Sequence, residues 1–180
     1  SEYCVAVLPG QPLTPEQHIQ FVGRLDPIMF TPGEIPHPQW SDLNEVKLSS
    51  TSTLPPTNGF HTDTSFVERP PSYTCLLPRR LSSRGGDTVF ANQYMAYEAL
   101  SPVMQNMLKA VRFKHKAAQL KHLDEAPEHP VSHPAVRTHP ISNRKSLYIT
   151  QPQRCSEVEG MTHKESANLL EFLYAHCQHV

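Results

Sequence analysis

An imidazole and a carboxylate stand two positions apart in the run Asn58-Gly59-Phe60-His61-Thr62-Asp63-Thr64-Ser65, directly after an Asn-Gly turn signal. If the segment after that turn is extended, alternate side chains share one face at about 7 Å along the backbone, so His61 and Asp63 can converge on one metal ion while Thr62 faces away. Two other pairs repeat the spacing, His122/Asp124 and His163/Glu165. His122-Leu123-Asp124 lies in a polar stretch without strand character. His163 opens an expected helix, where residues two apart point about 200° around the axis and cannot easily chelate one ion. Only His61/Asp63 combines the spacing with a turn and β-favouring neighbours, which makes it the candidate start of a mononuclear iron site. By spacing alone, a chance pairing beside an ordinary turn accounts for it more readily than a metal does.

Several elements are expected to position this pair. Tyr3-Cys4-Val5-Ala6-Val7-Leu8 reads as a buried strand. Thr14-Pro15-Glu16-Gln17 reads as a helix start, with Thr14 as cap and Gln17 closing a capping box, and the helix runs to about Leu25. Tyr73 to Leu77 and Thr88 to Phe90 read as short strands. Ser101-Pro102 is expected to cap a helix with Val103, Met107, Ala110 and Val111 inward. Ser146 to Thr150 reads as a further strand, and Thr162 to Glu165 as a second capping box opening a helix with Leu169, Phe172 and Leu173 inward. The segments from Pro27 to Pro56 and from Lys114 to Pro134 read as long irregular loops, the second rich in solvated histidine. Short β elements interrupted by helices predict a mainly β fold with helices, an antiparallel sandwich or barrel, in one domain over residues 1–180.

Composition narrows the functions. The chain has 180 residues with 16 basic and 17 acidic side chains, a formal charge of −1, which gives no electrostatic case for nucleic acid or an anionic membrane surface. No apolar run approaches the roughly 20 residues of a membrane span, so a soluble, cytoplasmic protein is expected. Cys4, Cys75, Cys155 and Cys177 are widely spaced, which speaks for idle thiols rather than a disulfide framework or zinc knuckle. The 18 prolines argue against a helical bundle.

Four runs in order, His61-Thr62-Asp63-Thr64-Ser65-Phe66, Gly85-Gly86-Asp87-Thr88-Val89-Phe90, Ala96-Tyr97-Glu98-Ala99-Leu100-Ser101 and His133-Pro134-Ala135-Val136-Arg137-Thr138-His139-Pro140, resemble the taurine dioxygenase (TauD/TfdA) family. The resemblance covers nearly the whole chain. It implies a double-stranded β-helix, or jelly roll, with iron(II) as metal and 2-oxoglutarate as cosubstrate. It further implies a small organic substrate, anionic as in relatives, which reacts with dioxygen while 2-oxoglutarate is decarboxylated to succinate. In that family His61 and Asp63 would be metal ligands and catalytic, and a carboxylate at 63 favours hydroxylation over halogenation. Thr88 would donate its hydroxyl to the distal carboxylate of 2-oxoglutarate. Phe60, Asn58 and Tyr148 are the expected substrate-side residues, against plainer readings as core, turn former and packing. Relatives often self-associate, so a homo-oligomer is an expectation too.

The family's distal metal histidine and its 2-oxoglutarate arginine follow the helix that ends near His176, and no residue before Val180 takes either role. The jelly roll is therefore expected to be incomplete at its carboxyl end here, with these residues part of a longer dioxygenase. Two other readings are a catalytically inactive jelly-roll binding module and a zinc protein using His115 to His139.

Overall fold

A computed structural model of the chain describes residues 3–46, 59–118 and 127–179. These fall into two compact units, one from residues 3–46 with 71–88, the other from residues 59–70, 89–118 and 127–179. Asn58 and the His122/Asp124 pair lie outside the described residues.

The first unit contains helix α1, Pro15–Gly23. It begins where the sequence puts it: Gln17 N–H donates to Thr14 Oγ1 at 3.2 Å, and Thr14 N–H donates to Gln17 Oε1 at 2.8 Å, so two orphan donors are satisfied reciprocally. Trp40 Nε1–H donates to Glu16 Oε1 at 2.7 Å, and an Arg79 guanidinium N–H to the Leu13 carbonyl at 2.7 Å. A backbone hydrogen bond, then Thr14 and Trp40, hold the Glu16 carboxyl below the usual carboxylate range. The helix buries no residue.

Tyr3 to Leu8 is not the buried strand its apolar run predicts, because every one of its residues is exposed and none enters a ladder. Tyr73 to Leu77 and Thr88 to Phe90 likewise form no strand. β-propensity describes how a side chain fits a pleated, half-covered surface, and without a partner strand or a covering layer it has nothing to act on.

The second unit holds helices α2 (Gln93–Glu98), α3 (Pro102–Leu108) and α4 (His163–Cys177), with strands β1 (Arg112–His115), β2 (Val131–Pro134), β3 (Val136–Thr138), β4 (Lys145–Leu147) and β5 (Cys155–Val158). Its sheets are antiparallel, one ordered β2-β1-β5 and the other β3-β4. The fold is thus mixed helix and antiparallel sheet, and the described strands do not close into a complete jelly roll. Pairing of β1 with β2 overturns the reading of 114–134 as loop throughout, and it buries His115 and His133 instead of solvating them.

Phe113, Leu108, Leu147, Leu170, Leu173 and Cys155 are fully buried at the centre. Each such leucine or phenylalanine contributes about 1.5–3 kcal/mol of hydrophobic stabilisation. Helix α4 packs on β5 and α2 on β4. The capping box of α4 is present, with Thr162 as N-cap.

The inward faces match expectation in part: Leu173 is buried and Val111 and Leu169 pack against the core, but other expected positions face out. In α3, Leu108 is buried while Val103 is 81% and Met107 37% exposed. In α4, Leu170 and Leu173 are buried, Leu169 packs at the margin and Phe172 is 49% exposed. Apolar periodicity gives the stripe but not its centre, which tertiary packing selects.

Candidate metal centre

The stretch 59–67 carries the site, and it is a turn rather than the expected strand: residues 63–66 form the bend, and Thr64 has φ of +48°. Its start is fixed by Gly59, at φ +96°, where a Cβ would sit 2.9 Å from the Tyr174 hydroxyl. Only glycine meets both demands. The same Tyr174 hydroxyl donates to the Phe60 carbonyl at 3.0 Å, and Gln151 Nε2–H donates to the Gly59 carbonyl at 3.3 Å. Thr62 faces the fold as expected, donating its hydroxyl to the Ile149 carbonyl at 2.8 Å and its N–H to Thr150 Oγ1 at 3.2 Å. On the far side of the bend, His133 Nε2 lies 3.0 Å from the Val67 carbonyl.

His61 and Asp63 come together on this held turn, with Nε2 and Oδ1 3.1 Å apart and both side chains partly open to solvent. His61 Nδ1 lies 3.2 Å from the Gly59 carbonyl. A carbonyl only accepts, so Nδ1 carries the hydrogen and Nε2 points to Asp63. The hydrogen bond to Asp63 raises the His61 pKa above the ordinary imidazole value, against burial and the Arg154 charge, which lower it.

An imidazole nitrogen and a carboxylate oxygen in this relation fit a transition metal. Two neighbouring ligands with bonds of about 2.1 Å at a right angle are about 3 Å apart. The bond from Nδ1 to a backbone carbonyl is also the usual way a metal histidine is oriented. Among the described residues no three His, Cys, Asp or Glu side chains converge, so these supply two protein ligands. That also removes the basis for a zinc centre in the described part of 115–139: His129 and His139 are exposed there, and His139 Nδ1 accepts from the Ile141 and Ser142 N–H groups. In the third His-X-acid pair, Glu165 is occupied as the cap of α4.

The remaining expected site residues are placed as follows. Thr88 is exposed and belongs to the first unit. Phe60 is half-buried beside His61. Tyr148 is half-buried, its ring 5.3 Å from those of His115 and His133, with the Arg137 guanidinium 4.6 Å from its centroid. A surface cleft lined by Val67, Glu68 and residues 127–132 includes neither His61 nor Asp63. Sequence reasoning missed the residues that hold the turn, Gln151, Tyr174 and His133, because their partners lie 66 to 114 positions away and no local pattern marks them.

Comparison with known proteins is decisive about kinship. The profile of the taurine catabolism dioxygenase TauD, TfdA family matches residues 1–180. The chain belongs to the TauD/TfdA family. It is 34% identical to an alpha-ketoglutarate-dependent sulfonate dioxygenase of Saccharomyces cerevisiae over 123 residues, 64% of this chain and 30% of that protein. It is 30% identical to the alpha-ketoglutarate-dependent 2,4-dichlorophenoxyacetate dioxygenase of Cupriavidus pinatubonensis over 200 aligned positions, 97% of this chain and 69% of that protein. A crystal structure of a taurine dioxygenase from Burkholderia xenovorans aligns over 48% of this chain and 29% of its own, at 30% identity and a TM-score of 0.41. This TauD/TfdA chain thus spans about a third of the yeast relative's length. Among its described residues no helix is long and apolar enough to cross a membrane.

Proposed function

We propose that this chain is the metal-binding part of an iron(II)- and 2-oxoglutarate-dependent dioxygenase that hydroxylates a small anionic organic molecule, read as one catalytic domain over residues 1–180. The observation that carries the reading is the 3.1 Å approach of His61 Nε2 to Asp63 Oδ1 on a turn whose backbone is held from three sides. His61 and Asp63 would hold the iron together with a further protein ligand, and the metal would bring 2-oxoglutarate and dioxygen together there. Iron(II) with 2-oxoglutarate supplies oxygen activation: one substrate C–H, one dioxygen and one 2-oxoglutarate become one C–OH, one succinate and one carbon dioxide.

The chain's own residues hold and orient. His61 and Asp63 bind the metal, with the Gly59 carbonyl keeping the His61 proton on Nδ1 so that Nε2 is free to ligate. Thr88 is assigned a hydrogen bond to the distal carboxylate of 2-oxoglutarate. Phe60, Asn58 and Tyr148 are assigned to the substrate side. The anionic substrate class rests on the sulfonate and phenoxyacetate named for the relatives. The test is succinate formation and oxygen uptake by the full-length protein with iron(II), ascorbate and 2-oxoglutarate, across a panel of sulfonates and aryloxyacetates. Substrate-dependent succinate supports the reading. Iron-loaded protein that forms none with any member, while 2-oxoglutarate is bound, refutes it.

A further inference from the structure

The turn that presents Asp63 is strained and buried. Thr64, Ser65 and Phe66 are buried, and Thr64 sits at φ +48°, a left-handed conformation that a β-branched residue rarely adopts. Across the bend, Val67 N–H donates to the Thr64 carbonyl at 3.4 Å. Strain of this kind persists only where the surroundings over-determine it, and it collects at functional positions. Upstream, Thr62 is tied to Ile149 and Thr150. Downstream, the tie is His133, whose Nε2 meets the Val67 carbonyl at 3.0 Å.

His133 is well placed for this. It lies in β2 opposite Phe113 of β1, is 6% exposed, and its ring stands 5.2 Å from that of His115 and 5.3 Å from that of Tyr148. His115 is fully buried with neither ring nitrogen hydrogen-bonded, so it serves here as a flat packing surface. An apolar ring at 133 would pack as well against these neighbours. What the imidazole adds is an N–H, since the Val67 carbonyl can only accept.

We propose that His133 is a positioning residue for the metal centre: its Nε2–H, braced by the His115 and Tyr148 rings, locks the Val67 end of the bend and thereby fixes the direction of the Asp63 carboxylate. The inference rests on the metal reading of His61 and Asp63. Groups outside the first ligand set that orient it typically change metal affinity 10- to 100-fold when removed, roughly the effect required here.

The test is cobalt(II) binding to the full-length protein, followed by titration and by the visible absorption of the bound ion, with thermal unfolding measured alongside. His133→Phe keeps a ring in the stack and deletes the donor. The expected result is an affinity loss of about tenfold or more with an altered cobalt spectrum, in protein that still unfolds cooperatively. His133→Gln, which restores an N–H donor, is expected to recover most of the affinity. Should the phenylalanine variant fail to fold, His133→Met against His133→Gln makes the same comparison at similar side-chain length. Equal affinity and an unchanged spectrum in the donor and donor-free variants overturn the inference while leaving the metal reading intact. Wild-type protein that takes up no metal overturns both.

Discussion

The two units differ in how they are held. All buried hydrophobic side chains of the described chain lie in residues 59–70, 89–118 and 127–179, whereas in residues 3–46 and 71–88 the one buried residue is Gly33. Both contain a capped helix, so both obey local rules. Among the described residues, only the unit with a core forms strand ladders. The comparison teaches that a cap needs only its own few residues, while a strand or a directed ligand needs a surface to lean on.

The sharpest way to probe this is to remove chemistry without touching the core. Asp63 and His61 sit on the supported unit but face solvent in part. Asp63→Ala or His61→Ala is expected to lower metal affinity more than 100-fold, beyond the 10- to 100-fold typical of outer groups, and to abolish succinate formation, with the unfolding midpoint of the metal-free protein little changed. Metal titration and calorimetry on the same samples check this. A large drop in the metal-free midpoint would mean that the pair is a structural clasp.

Matched truncations in the two units come next. Leu173→Ala empties a fully buried position and is expected to cost about 2–5 kcal/mol, whereas Leu81→Ala, 76% exposed in the first unit, is expected to stay within about 0.5 kcal/mol. Denaturant titrations of both measure the difference. Similar costs would break the contrast between a cored and an uncored unit.

Acid offers a third probe. Burial pushes the His115 pKa down to about 4, with the His133 and Arg137 charges adding to the effect. The unfolded chain therefore takes up this proton first. Stability is intact above about pH 6.5, falls as the pH drops toward about 4, and levels off below that, with a loss of up to about 3 kcal/mol. Burial lowers the His133 pKa as well, which gives the same sign. Unfolding free energies at pH 7.5 and 4.5 should therefore differ less in His115→Phe than in wild type. An equal pH slope would show that other groups carry the acid sensitivity.

What could be read in the chain follows the same division. The capping boxes at Thr14 and Thr162 were legible because donor and acceptor are three residues apart. The approach of His61 to Asp63 was legible for the same reason, though the turn that brings them together was read as a strand. The strand at Tyr3 to Leu8 was misread because hydrophobicity gives no information on whether a partner exists. His115 and His133 were misread as solvated because their neighbours in polar, proline-rich sequence hide the pairing of Phe113 with His133 across the ladder. Two of the four thiols sit in the core, where burial pushes Cys155 up to about 12 and Cys177 up to about 11.

The smallest expected effect is the most direct comparison of the units, because the perturbation is the same in each. Thr14→Ala and Thr162→Ala delete the same capping oxygen from the same kind of box, a local loss of about 1 kcal/mol apiece. Helix α4 carries the buried Leu170, Leu173 and Cys177, so fraying its first turn is coupled to the core and should lower the global unfolding midpoint. Helix α1 buries nothing, so the same loss should appear as faster amide hydrogen exchange within residues 15–23 and leave the global midpoint where it was. If Thr14→Ala lowers the midpoint as far as Thr162→Ala, α1 is energetically part of the core after all, and the division between the two units is one of geometry alone.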